Sequence, residues 1–273
     1  MKLPIFEDPE DQNPLASVLS SLEPMAPRGE VRLPDGGPGS AEVGALLGAV
    51  LGALQKAGDG TSSRLVTLEH LSAEARTLLD ETLGVGEVTV HVHGRHSYDC
   101  VETVLPGLWR VRTYGDQKVL VSDHLEVAQV PAIVRAANDA ATKAELRIGT
   151  PPEGAMNVLP LLAELRHRMR QSWVGQPNHI VNFTLLPMNE VDMAYLEQQL
   201  GHGPVEAESR GYGRCRVQLT AHRNIWSVQY FNAMGTVILD TLEVGDVPEA
   251  LRAATSDFED SAVRLGDLVT VGS

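Results

Sequence analysis

The sequence predicts an α+β protein built from two tandem pseudo-symmetric modules, each a small antiparallel sheet flanked by helices. Three observations carry that reading. The stretch from Leu83 to Ala137 recurs without a gap 117 positions later, from Leu200 to Ala254. Each copy opens on a helical pattern closed by a Leu-Gly pair, Leu83-Gly84 and Leu200-Gly201. Each then runs through short segments of alternating apolar and polar residues, separated by polar or glycine-containing gaps.

The duplication is read from paired residues. Gly94 meets Gly211, Trp109 meets Trp226, Val111 meets Val228 and Asp123 meets Asp240. The LEV run at 125–127 meets LEV at 242–244, and Val130-Pro131 meets Val247-Pro248. Identity of this density over an ungapped stretch is far above chance at ordinary composition. Two copies imply a pseudo-symmetric pair of modules, not a solenoid.

The elements follow in order. Residues 1 to about 40 hold the acids Glu7, Asp8, Glu10, Asp11, Glu23, Glu30 and Asp35 among many prolines, a composition that buries little and predicts an extended or disordered segment. A helix is expected over about 40–57. Its Gly44, Gly48 and Gly52 recur every four residues, which suits either close packing on a partner or a loose surface helix. Ser72 ahead of AEARTLLDETL and Asn189 ahead of EVDMAYLEQQL are helix caps, because their side chains accept from free N–H groups of the first turn. Gly84 and Gly201 terminate those helices. Strands are predicted at 87–93, 100–104, 108–114 and 118–122, and again at 205–209, 216–220, 225–231 and 236–240. Their short gaps suit an antiparallel meander. A closing helix is expected in each copy, with Pro131 or Pro248 in its first turn. In the second copy Leu251, Ala254, Phe258, Ala262 and Leu265 would share its apolar face. Between the copies GTPPEG at 149–154 reads as a linker, followed by a helix at about 158–172. The expected division is an N-terminal segment with its helix (1–60), a first, degenerate module (61–150), a linker and central helix (151–177) and a second module (178–273).

Composition narrows the function. The formal net charge of −14 opposes nonspecific binding to nucleic acid or anionic membranes, both of which need a basic surface. The two cysteines, Cys100 and Cys215, form neither a disulfide framework nor a CxxC site, and a cytoplasmic location is expected. The start, MKLPIFEDPEDQNP, does not read as a Sec or twin-arginine leader. No apolar run approaches the length of a membrane span. Neither a Walker loop, a nucleophile elbow, a dinucleotide fingerprint nor HExxH occurs, so no enzyme and no cofactor is predicted.

From Asn178 the chain carries an ordered set of motifs: NFTLLP, the SRGYGRCR turn, the WSVQYFN strand, LDTLEVGDVP, and the DFEDSAVRL helix. This set resembles the HupH/HyaF family of hydrogenase expression proteins, strongly over about 155–268 and more weakly over about 65–145. The resemblance implies a dedicated accessory chaperone of [NiFe] hydrogenase maturation. Its implied client is the immature iron–sulfur small subunit, with the large subunit or another accessory protein as the alternative. A metal or iron–sulfur carrier using Cys215 is the second alternative.

Expected partner-binding residues are Arg210, Gly211, Tyr212, Gly213, Arg214 and Cys215, with Tyr230 and Asn232 from the neighbouring strand. Arginine and tyrosine anchor interfaces, and the glycines permit a tight bend. The plainer reading of this segment is a hairpin bend with solvated arginines. Trp109 and Trp226 read as core residues. Cys215 is expected to be a small buried residue, or a thiol that touches a cluster. His91, His93 and His96 with Asp99 suggest a metal set on spacing alone, but exposed strand histidines explain them better. Arg166, His167, Arg168 and Arg170 form a basic patch expected to salt-link to the acidic modules. Asp257, Glu259 and Asp260 lie at helical spacing on what reads as a solvated face.

Overall fold

The computed structural model describes residues 37–57, 63–171, 173, 175–183, 186–211 and 213–271. The acidic N-terminal segment and Tyr212 lie outside the described residues. The first copy contributes α1 (Ser40–Leu54), β1 (Arg64–Thr67), α2 (Ala73–Leu83), β2 (Val88–Val92), β3 (Ser97–Glu102), β4 (Leu108–Tyr114), β5 (Leu120–Val127) and α3 (Ala132–Ala140). The second contributes α4 (Val158–Arg168), β6 (His179–Asn182), α5 (Glu190–Leu200), β7 (His202–Ser209), β8 (Arg214–Thr220), β9 (Ile225–Phe231), β10 (Val237–Val244), a 3-10 turn (Glu249–Leu251) and α6 (Thr255–Val271).

The modules do not stack face to face. They join edge to edge in one ten-stranded antiparallel sheet of order β1-β5-β4-β3-β2-β7-β8-β9-β10-β6. At the junction Val88 lies opposite Ser209, Val90 opposite Ala207 and Val92 opposite Val205. Ala207 is the repeat counterpart of Val90, so the local twofold axis passes between those two residues. Pairing β2 with β7 satisfies one open strand edge of each half, which would otherwise be a site for association.

Each half has five strands, not the four expected. β1 (RLVT) and β6 (HIVN) are four residues long, too short for alternation to show. The repeat also reaches further back than the shared identities suggest. α1 buries Val43, Leu46, Leu47, Val50 and Leu54, while α4 and its cap bury Val158, Leu161, Leu162, Leu165 and Met169, each 115 positions on. The connection from β6 to α5 is two residues longer than that from β1 to α2, which restores the offset of 117.

Local chemistry accounts for the elements. The Ser72 hydroxyl accepts from the Ala75 N–H at 3.2 Å, and Asn189 and Asp192 form a capping box. Gly84 and Gly201 end α2 and α5 at φ of 52° and 56°, where a Cβ would be strained. Gly44, Gly48 and Gly52 have no described atom within 4 Å of where a Cβ would stand, so close packing through that stripe is absent among the described residues. No helix of the described residues is long and apolar enough to cross a membrane.

Helices α1 and α2 cover one face of the first half, and α4 and α5 cover the same face of the second. The opposite face carries α3 and the 3-10 turn over a cluster that runs through both halves. Trp109 and Trp226 are fully buried in it, as expected of core residues, and the Trp109 indole donates to the Ala128 carbonyl at 3.0 Å. The closing helix of the second copy departs from expectation. It stops after Leu251, and Arg252 is extended (φ −106°, ψ 131°). α6 then starts afresh because the Asp257 carboxylate accepts from the Ala254 N–H at 2.8 Å. α6 crosses to the first half, where Phe258 is buried with Leu105, Leu108 and Leu125. Gly107 makes that possible, since a Cβ there would stand 2.6 Å from the Phe258 ring. In return, chain after α3 binds the second half through Lys143 N–H to the Ala221 carbonyl at 2.9 Å, and Leu146 joins that core.

Asp192 ties α4 to α5. Its buried carboxylate accepts from the N–H groups of Met156 (2.8 Å), Asn157 (3.1 Å), Val158 (3.2 Å) and Asn189 (3.3 Å). Burial opposes its ionisation, but these donors outweigh burial and hold the pKa below the ordinary aspartate value. A depressed folded pKa contributes stability above the unfolded value of about 3.9, which is lost as pH falls through the folded one. Asp192→Asn is therefore expected to lower the urea midpoint more at pH 7 than at pH 3, where part of the contribution is already lost. Equal losses at both pH values would refute the assignment.

Candidate functional site

Strand alternation splits the expected binding residues between two environments. On β8 and β9, Cys215, Val217, Trp226, Val228 and Tyr230 face the shared core. Arg214, Arg216, Ser227, Gln229 and Phe231 face the side that carries α5. The sequence grouped Cys215 and Tyr230 with the turn, but the structure places both in the interior, 2% and 5% exposed.

The turn itself is tightly built. The Arg210 N–H donates to the Glu87 carbonyl at 3.0 Å, and a Cβ on Gly211 would collide with the Glu87 carboxylate. Gly213 takes a φ of 82°. Beyond it, Arg214 and Arg216 each hold their guanidinium 5.8 Å from the centroid of the Phe231 ring. Glu208 neutralises part of this charge, at 2.9 Å from Arg214 and 3.9 Å from Arg216. The Arg214 hydrogen bond keeps the Glu208 carboxyl below its ordinary pKa. Asn232 serves the adjacent β9–β10 turn, its side-chain oxygen accepting from the N–H groups of Met234 and Thr236. Met234 is 86% exposed at that tip, with Val237 and Ile238 also exposed. The result is an apolar tip beside two arginines and an aromatic ring, a composition characteristic of protein interfaces. The pseudo-symmetric tip at the far end exposes Val119, Leu120 and Val121 too, but Ser97 and Asp99 stand where Arg214 and Arg216 do.

Burial pushes the Cys215 thiol up to about 12, with the Tyr230 hydrogen bond opposing that rise. A thiol in this state is a weak nucleophile and a poor ligand. Iodoacetamide at pH 7.5 is expected to label Cys215 only as fast as the chain unfolds, as read by mass spectrometry of the alkylated peptide. Labelling at the rate of a free thiol would show an accessible cysteine.

The remaining candidates separate. The His91 ring lies 2.8 Å from Asp99 and His93 lies 3.9 Å from Glu206, all exposed. No group of three or more possible metal ligands occurs among the described residues. The expected salt links of Arg166, His167, Arg168 and Arg170 are not formed among the described residues. Asp257 caps α6, while Glu259 and Asp260 are exposed.

One feature escaped the sequence reading. A cavity of about 540 Å³ lies between α5 and the sheet, lined in part by Met193, Glu197, Ser227, Gln229 and Asp240. Its counterpart in the first half is filled. Arg110 occupies the Ser227 position and donates to Asp123 at 2.5 and 2.7 Å and to Asp80 at 2.6 Å. Arg112 and Arg76 occupy the Gln229 and Met193 positions. Comparing the two copies residue by residue would have exposed this loss of three arginines around a retained aspartate.

Comparison with known proteins bears on both halves. The profile of the HupH hydrogenase expression protein C-terminal conserved region matches twice, at residues 41–150 and 155–271. The hydrogenase expression/formation protein HupH of Rhizobium leguminosarum is 44% identical over 75% of this chain and 73% of its own. HoxQ of Cupriavidus necator, also named a hydrogenase expression/formation protein, is 39% identical over 84% of this chain and 81% of its own. The hydrogenase-1 operon protein HyaF of Escherichia coli is 32% identical over 74% and 71%.

Proposed function

Because the chain belongs to the HupH hydrogenase expression protein family, we propose that it is a non-catalytic chaperone of [NiFe] hydrogenase maturation that binds the immature iron–sulfur small subunit. Binding would take place in the cytoplasm, before assembly or export. The observation that carries a binding role is the exposed face of the second half, where Arg214, Arg216 and Phe231 adjoin the apolar tip of Met234, Val237 and Ile238. Arginine and aromatic groups beside exposed aliphatic side chains supply both affinity and orientation. The arginines would also draw an acidic patch of the client, despite the overall negative charge.

The mechanism is differential affinity. A chaperone that prefers an immature client releases it on maturation without any covalent step, provided the two states differ in the surface they present. A stable complex buries roughly 1,200–2,000 Å² in total. The buried, protonated Cys215 offers little support for a cluster-carrying role.

Co-purification of the tagged chain from its native host under anaerobic conditions, with mass spectrometry of the bound proteins, tests the proposal. An unprocessed small subunit is the expected partner. Recovery of the large subunit alone would move the chaperone to another step. Recovery of neither, with hydrogenase expressed, would overturn the proposal.

A further inference from the structure

We propose that the cavity between α5 and the sheet of the second half is a receptor for one arginine side chain of a client polypeptide, whose guanidinium would sit between Asp240 and Glu197.

The first half is an internal template for the ligand. Arg110 lies between an inward aspartate, Asp123, and a carboxylate on the covering helix, Asp80. The second half keeps both acids in register, as Asp240 on β10 and Glu197 on α5. It replaces the cation with Ser227 and opens a cavity there. It also removes the supporting charges, Arg76 and Arg112 becoming Met193 and Gln229. Among the described residues Asp240 keeps the Gln229 amide, which donates to it at 3.1 Å, and burial holds its carboxyl above the ordinary aspartate pKa. A half-buried carboxylate with no cation beside it among the described residues is costly and is relieved by an incoming one. A planar guanidinium can bridge two carboxylates, as Arg110 does, whereas an ammonium acts as a point charge.

The cavity is continuous with the candidate interface. Ser227, Gln229 and Phe231 alternate along the same face of β9, and Gln229 lies opposite Arg216 on β8. A client seated on Phe231 and the arginines would therefore have the cavity one or two residues away. The inference rests on the client reading for the source of the arginine, not for the chemistry of the pocket.

The full-length chain would be titrated with N-acetyl-L-arginine amide and with its neutral isostere, N-acetyl-L-citrulline amide, and followed by amide NMR. The arginine compound is expected to give saturable shifts confined to residues around Ser227, Gln229 and Asp240, with Kd on the order of 1 mM, and the citrulline compound none. Ser227→Arg, which restores the first-half arrangement, and Asp240→Asn should each weaken that binding tenfold or more. Having both variants keeps the test decisive if one misfolds. Equal shifts from both compounds, shifts unchanged in the variants, or no shift from either compound would overturn the proposal. Client affinity gives a second readout. A tenfold loss in Ser227→Arg with wild-type circular dichroism supports the pocket. Unchanged affinity overturns it while leaving the client reading intact. If the wild type itself binds no client, the client reading fails and the client arginine with it, whatever the amide titration shows.

Discussion

Replacing Arg110 with alanine is expected to destabilise the chain by about 3–5 kcal/mol, the cost of breaking a buried ion pair from one side. Arg110 is 7% exposed and Asp123 9%, and their two short hydrogen bonds hold the fork of the guanidinium against both carboxylate oxygens. Removing the arginine leaves Asp123 with Arg76 at 3.8 Å and Arg112 at 3.9 Å, both too far for a strong hydrogen bond. Asp80 is half exposed and can return to water, so it adds little to the loss. Arg112→Ala is the control, with an expected change below about 1 kcal/mol because Arg112 is 35% exposed and its contacts are 3.5 Å and longer. The combined Arg110→Met, Asp123→Leu variant should recover most of the loss, since no charge is then stranded. Urea unfolding measures all three. A small effect of Arg110→Ala alone would mean that water reaches Asp123, and that the filled site is no template for the open one.

The second large effect concerns binding. Arg214→Glu combined with Met234→Asp is expected to weaken the client complex by about 2 kcal/mol or more, roughly thirtyfold. Both side chains project outward, Arg214 being half exposed and Met234 86%. Stability should therefore change by no more than about 0.5–1 kcal/mol. Ser97→Glu with Val121→Asp adds two acids at the exposed pseudo-symmetric tip and should leave affinity near wild type. Equal losses at both tips would show that the client senses overall charge rather than this face. Loss at the first tip alone would place the interface on the other half.

The helices and most strands were legible because their signals are local. Ser72, Asn189, Gly84 and Gly201 mark the ends of α2 and α5 through backbone chemistry that neighbouring residues do not override. The alternation of WSVQYF carries β9 onto the sheet with Trp226, Val228 and Tyr230 inward and Phe231 on the other face. β1 and β6 were hidden because four residues cannot display a period. The equivalence of α1 and α4 shows only in the fold, because they share a burial pattern rather than identities and a two-residue insertion shifts their register. The edge-to-edge junction at Val90 and Ala207 depends on pairing between distant strands, which no local window records. The break after Leu251 arises where Ala253 donates to the Gln129 carbonyl of the other half, a long-range contact. At the candidate site the sequence records order along the chain but not position across the sheet. Arg214 and Cys215 are neighbours in sequence and point to opposite faces. The cavity by Asp240 is written in the sequence as a difference between the copies, Ser227, Gln229 and Met193 standing where Arg110, Arg112 and Arg76 do, not as an identity.

Selective binding of an immature hydrogenase subunit is tested most directly by calorimetry. The purified chain would be titrated anaerobically against the unprocessed small subunit and against the same subunit taken from assembled hydrogenase. Differential affinity requires the unprocessed form to bind at least tenfold more tightly, a difference of about 1.4 kcal/mol. Equal affinity for the two forms, or no heat of binding with either, would contradict it.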